Sequence, residues 1–79
     1  MEISSENIKI ILSQTSSLEK EVLSFDDNQS LIEQGVDSLD NLDFFLKIEE
    51  TFDLSIPDSD IDSLDTIEKI RVYLEGKKG

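Results

Sequence analysis

Seventy-nine residues make one small domain, too small for a deep catalytic pocket, and the absence of cysteine and histidine removes disulfides, thiol nucleophiles, triad bases and soft-metal sites. An enzyme is therefore not expected. Nineteen acids against seven bases give a formal net charge of −12, which argues against nucleic acid or anionic membrane and for partners with basic surfaces.

Ser4 opens the first predicted helix, over Ser5 to Gln14, with Ile3 able to close over Ile8 as a hydrophobic staple. Ile8, Ile11, Leu12 and Thr15 share one face, and Ile10 lies at its edge. From Ser16 to Gln34 the polar clusters, beginning with Ser16-Ser17 and including Asp26-Asp27-Asn28-Gln29-Ser30, interrupt any period. Apolar residues come there singly or in pairs: Leu18, Val22-Leu23, Phe25, Leu31-Ile32. The pattern predicts a long loop pinned to a core at intervals, a length that suggests a working surface.

The second helix is predicted over Ser38 to Phe52, immediately after Gly35-Val36-Asp37. Asp37 can cap it, and Asp40 stands in the capping-box position. At about 100° per residue, Leu42, Phe45, Ile48 and Phe52 form a core stripe, flanked by Leu39, Phe44 and Leu46, with Asp40, Asp43, Lys47 and Glu50 opposite. So wide an apolar surface makes this helix the hub of the fold.

Pro57 disfavours helical geometry at Ile56, so the hub helix breaks in Asp53–Pro57, and a short helix is expected to follow. Asp58, Asp60 and Asp62 alternate like calcium ligands, but Ser63 occupies the obligatory glycine position and Lys69 that of the bidentate glutamate, so no calcium loop is expected. The last helix is predicted to start near Asp65, to bury Ile67, Ile70 and Leu74 with Val72 and Tyr73 at its edges, and to stop at Gly76, leaving Lys77 and Lys78 at its negative end. No strand alternation or hairpin signal appears. The expected fold is all-α, a small bundle of three longer helices plus one short one, in a single domain over residues 1–79.

Ser38 sits at the mouth of the hub helix, where free backbone N–H groups and the helix dipole favour a phosphate ester on its hydroxyl. A bare Asp-Ser-Leu triplet is more often a simple cap, so its surroundings must decide. From Gly35 to Asp65 ten acids face the single base Lys47, which makes the middle of the chain its electrostatic working end.

This order of elements, with Asp37-Ser38-Leu39 opening a hub helix, resembles the acyl carrier proteins over nearly the whole chain. Leu42-Asp43, Ile48-Glu49-Glu50, Phe52, Ile56-Pro57, Thr66 and Tyr73 are similar to that family's recurring pattern after the motif. Gln34 and Asp43 stand where members often carry leucine and glutamate, and Phe44-Phe45 is bulkier than their aliphatic pair. The resemblance implies that Ser38 receives 4′-phosphopantetheine from coenzyme A through a phosphopantetheinyl transferase, and that the chain carries acyl groups to synthase and acyl-transfer enzymes of fatty acid, polyketide or related lipid synthesis.

Asp37, Asp40, Asp43 and Glu50, with Leu39 and Leu46 as apolar contacts, are the expected docking surface for such basic-surfaced enzymes. No metal site is expected. No apolar run approaches the ~18 residues of a membrane span and no basic-then-apolar leader opens the chain, so a cytoplasmic protein without membrane insertion is expected; a monomer is expected too. Two alternatives stay open: an aminoacyl or peptidyl carrier, and an unmodified acidic interaction module in which Asp37-Ser38 is only a cap.

Overall fold

In the computed structural model the first apolar stripe becomes helix α1, Ser5–Thr15, one residue longer than expected. Ser4 Oγ accepts from the Asn7 N–H at 3.1 Å, satisfying one of the amide donors that every helix start leaves free. Ile8, Ile11 and Leu12 are buried, and Ile3 packs against the core beside them, as a staple requires. The structure describes residues 2–16 and 18–78, without the side chains of Glu19, Lys20 and Lys78. Ser17 of the expected polar cluster and the Lys78 side chain at the last helix end thus lie outside the described residues.

The stretch after α1 is not simply a loop. Glu19–Ser24 forms a 3-10 helix that lays Val22 into the core, with Leu18 and Phe25 packed at either side. A three-residue turn needs only one buried side chain per revolution, so it leaves no longer period to find in the sequence. Leu23 and Ile32, expected as pins, are instead exposed, while Leu31 is buried.

Helix α2 runs Ser38–Phe52, with the expected bounds. It ends because Asp53 takes a left-handed conformation, φ 53° and ψ 58°, and the Leu54 N–H reaches back to the Glu49 carbonyl at 3.1 Å. That stop lies four residues ahead of Pro57, which instead precedes the single turn α3, Asp58–Ile61. Helix α4 spans Ile67–Lys78. Thr66, not Asp65, caps it, since the Lys69 N–H donates to Thr66 Oγ1 at 3.1 Å. Nor does Gly76 stop it: nothing lies near the space its missing Cβ would fill, and the helix continues through it.

The core is one cluster in which α1 packs against the 3-10 helix, α2 and α4. It holds Phe44 and Phe45, ring centroids 5.3 Å apart and tilted by 56°, together with Ile8, Ile48, Ile67, Ile70 and Leu74. Helix α3 buries no residue and borders α2 from outside. Tyr73 Oη ties it to α4 by donating to Asp60 Oδ2 at 2.8 Å. The expected all-helical bundle is the one observed, and among the described residues no helix is long and apolar enough to cross a membrane.

Candidate functional site

The approach to Ser38 is a tightly tied loop. Leu31 and Val36 are buried at its two ends, the Val36 N–H donates to the Leu31 carbonyl at 3.0 Å, and the Leu31 N–H donates to Asp65 O at 2.9 Å. Gly35 turns the chain between them at φ +110°, a conformation that a side chain would strain. On the outer side Gln34 folds back: its Oε1 accepts from the Asp26 N–H at 2.9 Å, and its Nε2 donates to the carbonyls of Asp26 and Gln29 at 3.1 and 3.0 Å. Asp27 pins the far side of the loop, its carboxylate 2.7 Å from Lys9 Nζ and its carbonyl accepting from the Glu68 N–H at 2.9 Å. The hydrogen bond from Lys9 holds the Asp27 carboxyl below the usual carboxylate range.

Asp37 leaves this loop in extended conformation and caps α2, its Oδ1 accepting from the Leu39 N–H at 2.8 Å. Ser38 is the first helical residue and is exposed, and its hydroxyl makes no hydrogen bond among the described residues. A nucleophilic hydroxyl therefore stands free at the positive dipole end of a fifteen-residue helix, beside the Asp37 carboxylate that already takes the Leu39 N–H. A phosphodiester built there would meet the remaining first-turn N–H donors and the helix dipole, which offset the nearby Asp37 carboxylate.

Beyond Ser38 the outer face of α2 is apolar along its middle. Leu39, Leu42 and Leu46 are 72, 55 and 59% exposed and fall three and four residues apart, one ridge on the helix. This corrects the expected core stripe, because Leu42 lies on the ridge and Phe44, fully buried, takes its place inside. Asp43 and Glu50 run beside the ridge, and Asp40 lies about 100° round from Leu39, partly buried. Of the expected docking residues, Asp37 and Leu39 stand at the helix mouth with Ser38, while Asp43, Leu46 and Glu50 continue along the same exposed side for about 18 Å from Ser38. On the other flank a cleft of about 210 Å³ opens between α2 and α3, lined by Leu42, Phe45, Leu46, Glu49, Asp58 and Ile61.

Charge is distributed unevenly between the helices. On α4 and just ahead of its cap, Asp65 meets Lys69 at 2.9 Å, and Arg71 bridges Glu68 and Glu75 at 2.6 and 2.8 Å. The hydrogen bonds from Lys69 and Arg71 hold Asp65 and Glu68 below their ordinary values. Asp43 and Glu50 have no ion pair among the described residues, and there no three acids gather closely enough to hold a metal. Sequence reasoning missed two features here. The spacing of Leu39, Leu42 and Leu46 was readable as a ridge, whereas nothing in the sequence marks Gln34 as a clamp across eight residues.

The chain matches the family described as phosphopantetheine attachment site over residues 9–74. It is 32% identical over 80 residues to the acyl carrier protein of Syntrophobacter fumaroxidans, an alignment covering 99% of this chain and 98% of that one. With the acyl carrier protein of Campylobacter lari it shares 31% identity over 70 residues, 89% of this chain and 90% of that one. A shorter stretch of 45 residues is 49% identical to the acyl carrier protein of Bdellovibrio bacteriovorus; there the alignment spans 57% of this chain and 56% of that protein's length.

Proposed function

The chain belongs to the acyl carrier protein family, and we propose that Ser38 is the residue through which it carries its cargo. It is a carrier and not an enzyme, with 4′-phosphopantetheine as its covalent cofactor. When bound, that group supplies a flexible arm ending in a thiol, which a chain without cysteine must borrow to hold acyl groups as thioesters. What supports Ser38 is one observation: its hydroxyl is exposed and unbonded at the start of α2, behind the Asp37 cap and beside the exposed Leu39.

The remaining residues act around that hydroxyl. Asp37 orders the first turn, keeping Ser38 at the helix mouth. The leucine ridge offers a small apolar contact, and Asp37, Asp40, Asp43 and Glu50 offer acidic ones, so a basic enzyme surface is steered in quickly without being held tightly. The partners proposed are a phosphopantetheinyl transferase and basic-surfaced synthase and acyl-transfer enzymes, met by a monomer in the cytoplasm. The cargo proposed is the acyl intermediates of fatty acid, polyketide or related lipid synthesis.

Intact mass after incubation of the apo protein with coenzyme A and a phosphopantetheinyl transferase tests the site. Wild type gains one phosphopantetheine mass, and Ser38→Ala folds with the same helicity and gains none. An adduct on Ser38→Ala, or none on wild type under conditions that modify a known carrier, refutes the assignment.

A further inference from the structure

We propose that Gln34 is a positioning residue for modification of Ser38: its side chain sets the loop that enters α2, and with it the fraction of molecules whose helix mouth a transferase can engage. The inference rests on Ser38 being the attachment site.

Gln34 uses its whole amide. One oxygen accepts from the Asp26 N–H, and one nitrogen donates to two carbonyls, Asp26 and Gln29, all between 2.9 and 3.1 Å. These bonds close residues 26–34 into a ring on the surface, and none of them serves the hydrophobic core. On the inner side the same segment is held by buried Leu31 and Val36. Between the two anchorages the chain makes consecutive turn bonds, Gln34 N–H to Ser30 O, Gly35 N–H to Ile32 O and Val36 N–H to Leu31 O, and then passes directly to the Asp37 cap and Ser38. Removing the Gln34 amide leaves the inner anchors and frees the outer wall. Asp37 must be extended and correctly aimed for its carboxylate to hold the Leu39 N–H, so a loosened approach costs the cap part of its occupancy.

A partner that binds only the ordered mouth sees its apparent affinity fall by the fraction of molecules in that state, while the chemistry of the bound complex is untouched. A residue that merely stabilised the fold would behave differently. At a temperature well below melting nearly every molecule stays native, and a modest loss of stability would not move KM at all.

Three variants separate these cases. Gln34→Ala removes side chain and bonds, Gln34→Leu keeps the bulk and removes only the bonds, and Gln29→Ala is the control, since Gln29 takes part through its backbone carbonyl. Each is compared with wild type for phosphopantetheine transfer, with the apo protein as varied substrate, and for amide hydrogen exchange. The expected result for both Gln34 variants is a rise in KM of about fivefold or more with kcat within about twofold of wild type. Faster exchange is expected at the Asp26 and Leu39 amides, with α4 exchange unchanged and Gln29→Ala like wild type. Wild-type KM in Gln34→Leu overturns the proposal, as does a loss carried by kcat. If wild type itself gains no adduct, it is the assignment of Ser38 that fails, and the exchange data still report whether the clamp orders the helix mouth.

Discussion

Helices α2 and α4 are both amphipathic and both carry several acids, yet they treat those acids in opposite ways. On α4 and just ahead of its Thr66 cap, Asp65, Glu68 and Glu75 are each neutralised by Lys69 or Arg71 within about one turn. On α2, Asp43 and Glu50 stand beside three exposed leucines with no ion pair among the described residues. Carboxylates paired on their own helix are already committed to structure, while those left to water keep their charge for a partner. The same division separates the apolar residues of α2 itself, with phenylalanines inside and leucines outside.

The sharpest test of that inner and outer division is truncation on each side. Phe44→Ala should lose about 3–5 kcal/mol, enough to leave so small a domain largely unfolded in a denaturant titration. Leu42→Ala, on the exposed ridge, should change stability by no more than about 0.5 kcal/mol and instead slow phosphopantetheine transfer. Equal destabilisation by the two would show that Leu42 belongs to the core after all.

Charge gives the next largest effect. The double reversal Asp43→Lys with Glu50→Lys should lower kcat/KM for the transferase about tenfold at low ionic strength, a difference that shrinks as salt screens the encounter. Glu68→Gln on α4 should leave transfer unchanged and lower the melting temperature slightly. Transfer rates that respond alike to both changes would erase the contrast between the helices.

The Lys9–Asp27 pair offers a smaller, pH-dependent effect. Its hydrogen bond depresses the folded-state pKa of Asp27 below 3.8, so the stability it contributes is present above that value and is lost as pH falls through the folded one. Because the carboxylate is partly exposed, Lys9→Met should cost only about 0.5–1 kcal/mol at pH 7. In thermal melts the gap from wild type should close in acid. A gap that persists well below pH 3.8 would mean that the lysine stem, not the charge, is what matters.

Least of all should be the response to salt. With a net charge of −12, and with Asp43 and Glu50 in no ion pair among the described residues, added sodium chloride should raise the apo melting temperature by a few degrees. No change would mean that these side chains already point apart into water.

Where local chemistry decides the outcome, the residues announced it. Ser4 and Asp37 are caps wherever they stand before a helical run, and both starts were legible for that reason, as was the exposed serine that follows the second. The 3-10 turn around Val22 and the clamp by Gln34 were not, since the first has too short a period and the second joins residues eight apart. Asp65 and Thr66 are both competent caps in sequence. Only in the folded chain does the Asp65 carbonyl accept from Leu31 and its carboxylate turn to Lys69, leaving Thr66 to hold the helix start. Gly76 is a permissive residue, and its surroundings let the helix pass.

The sequence by itself determined the helical class, the bounds of α2 and the placing of one free hydroxyl at its mouth, because periodicity and capping act within a few residues of chain. Which face of α2 turns inward was decided by the tertiary structure alone. With seven large apolar residues between Leu39 and Phe52, more than one stripe can serve as a core. The choice fell to the one that packs Phe44 against Phe45 beneath α1 and leaves the leucines to water, since a close-packed interior selects by shape and volume and not by hydrophobicity alone.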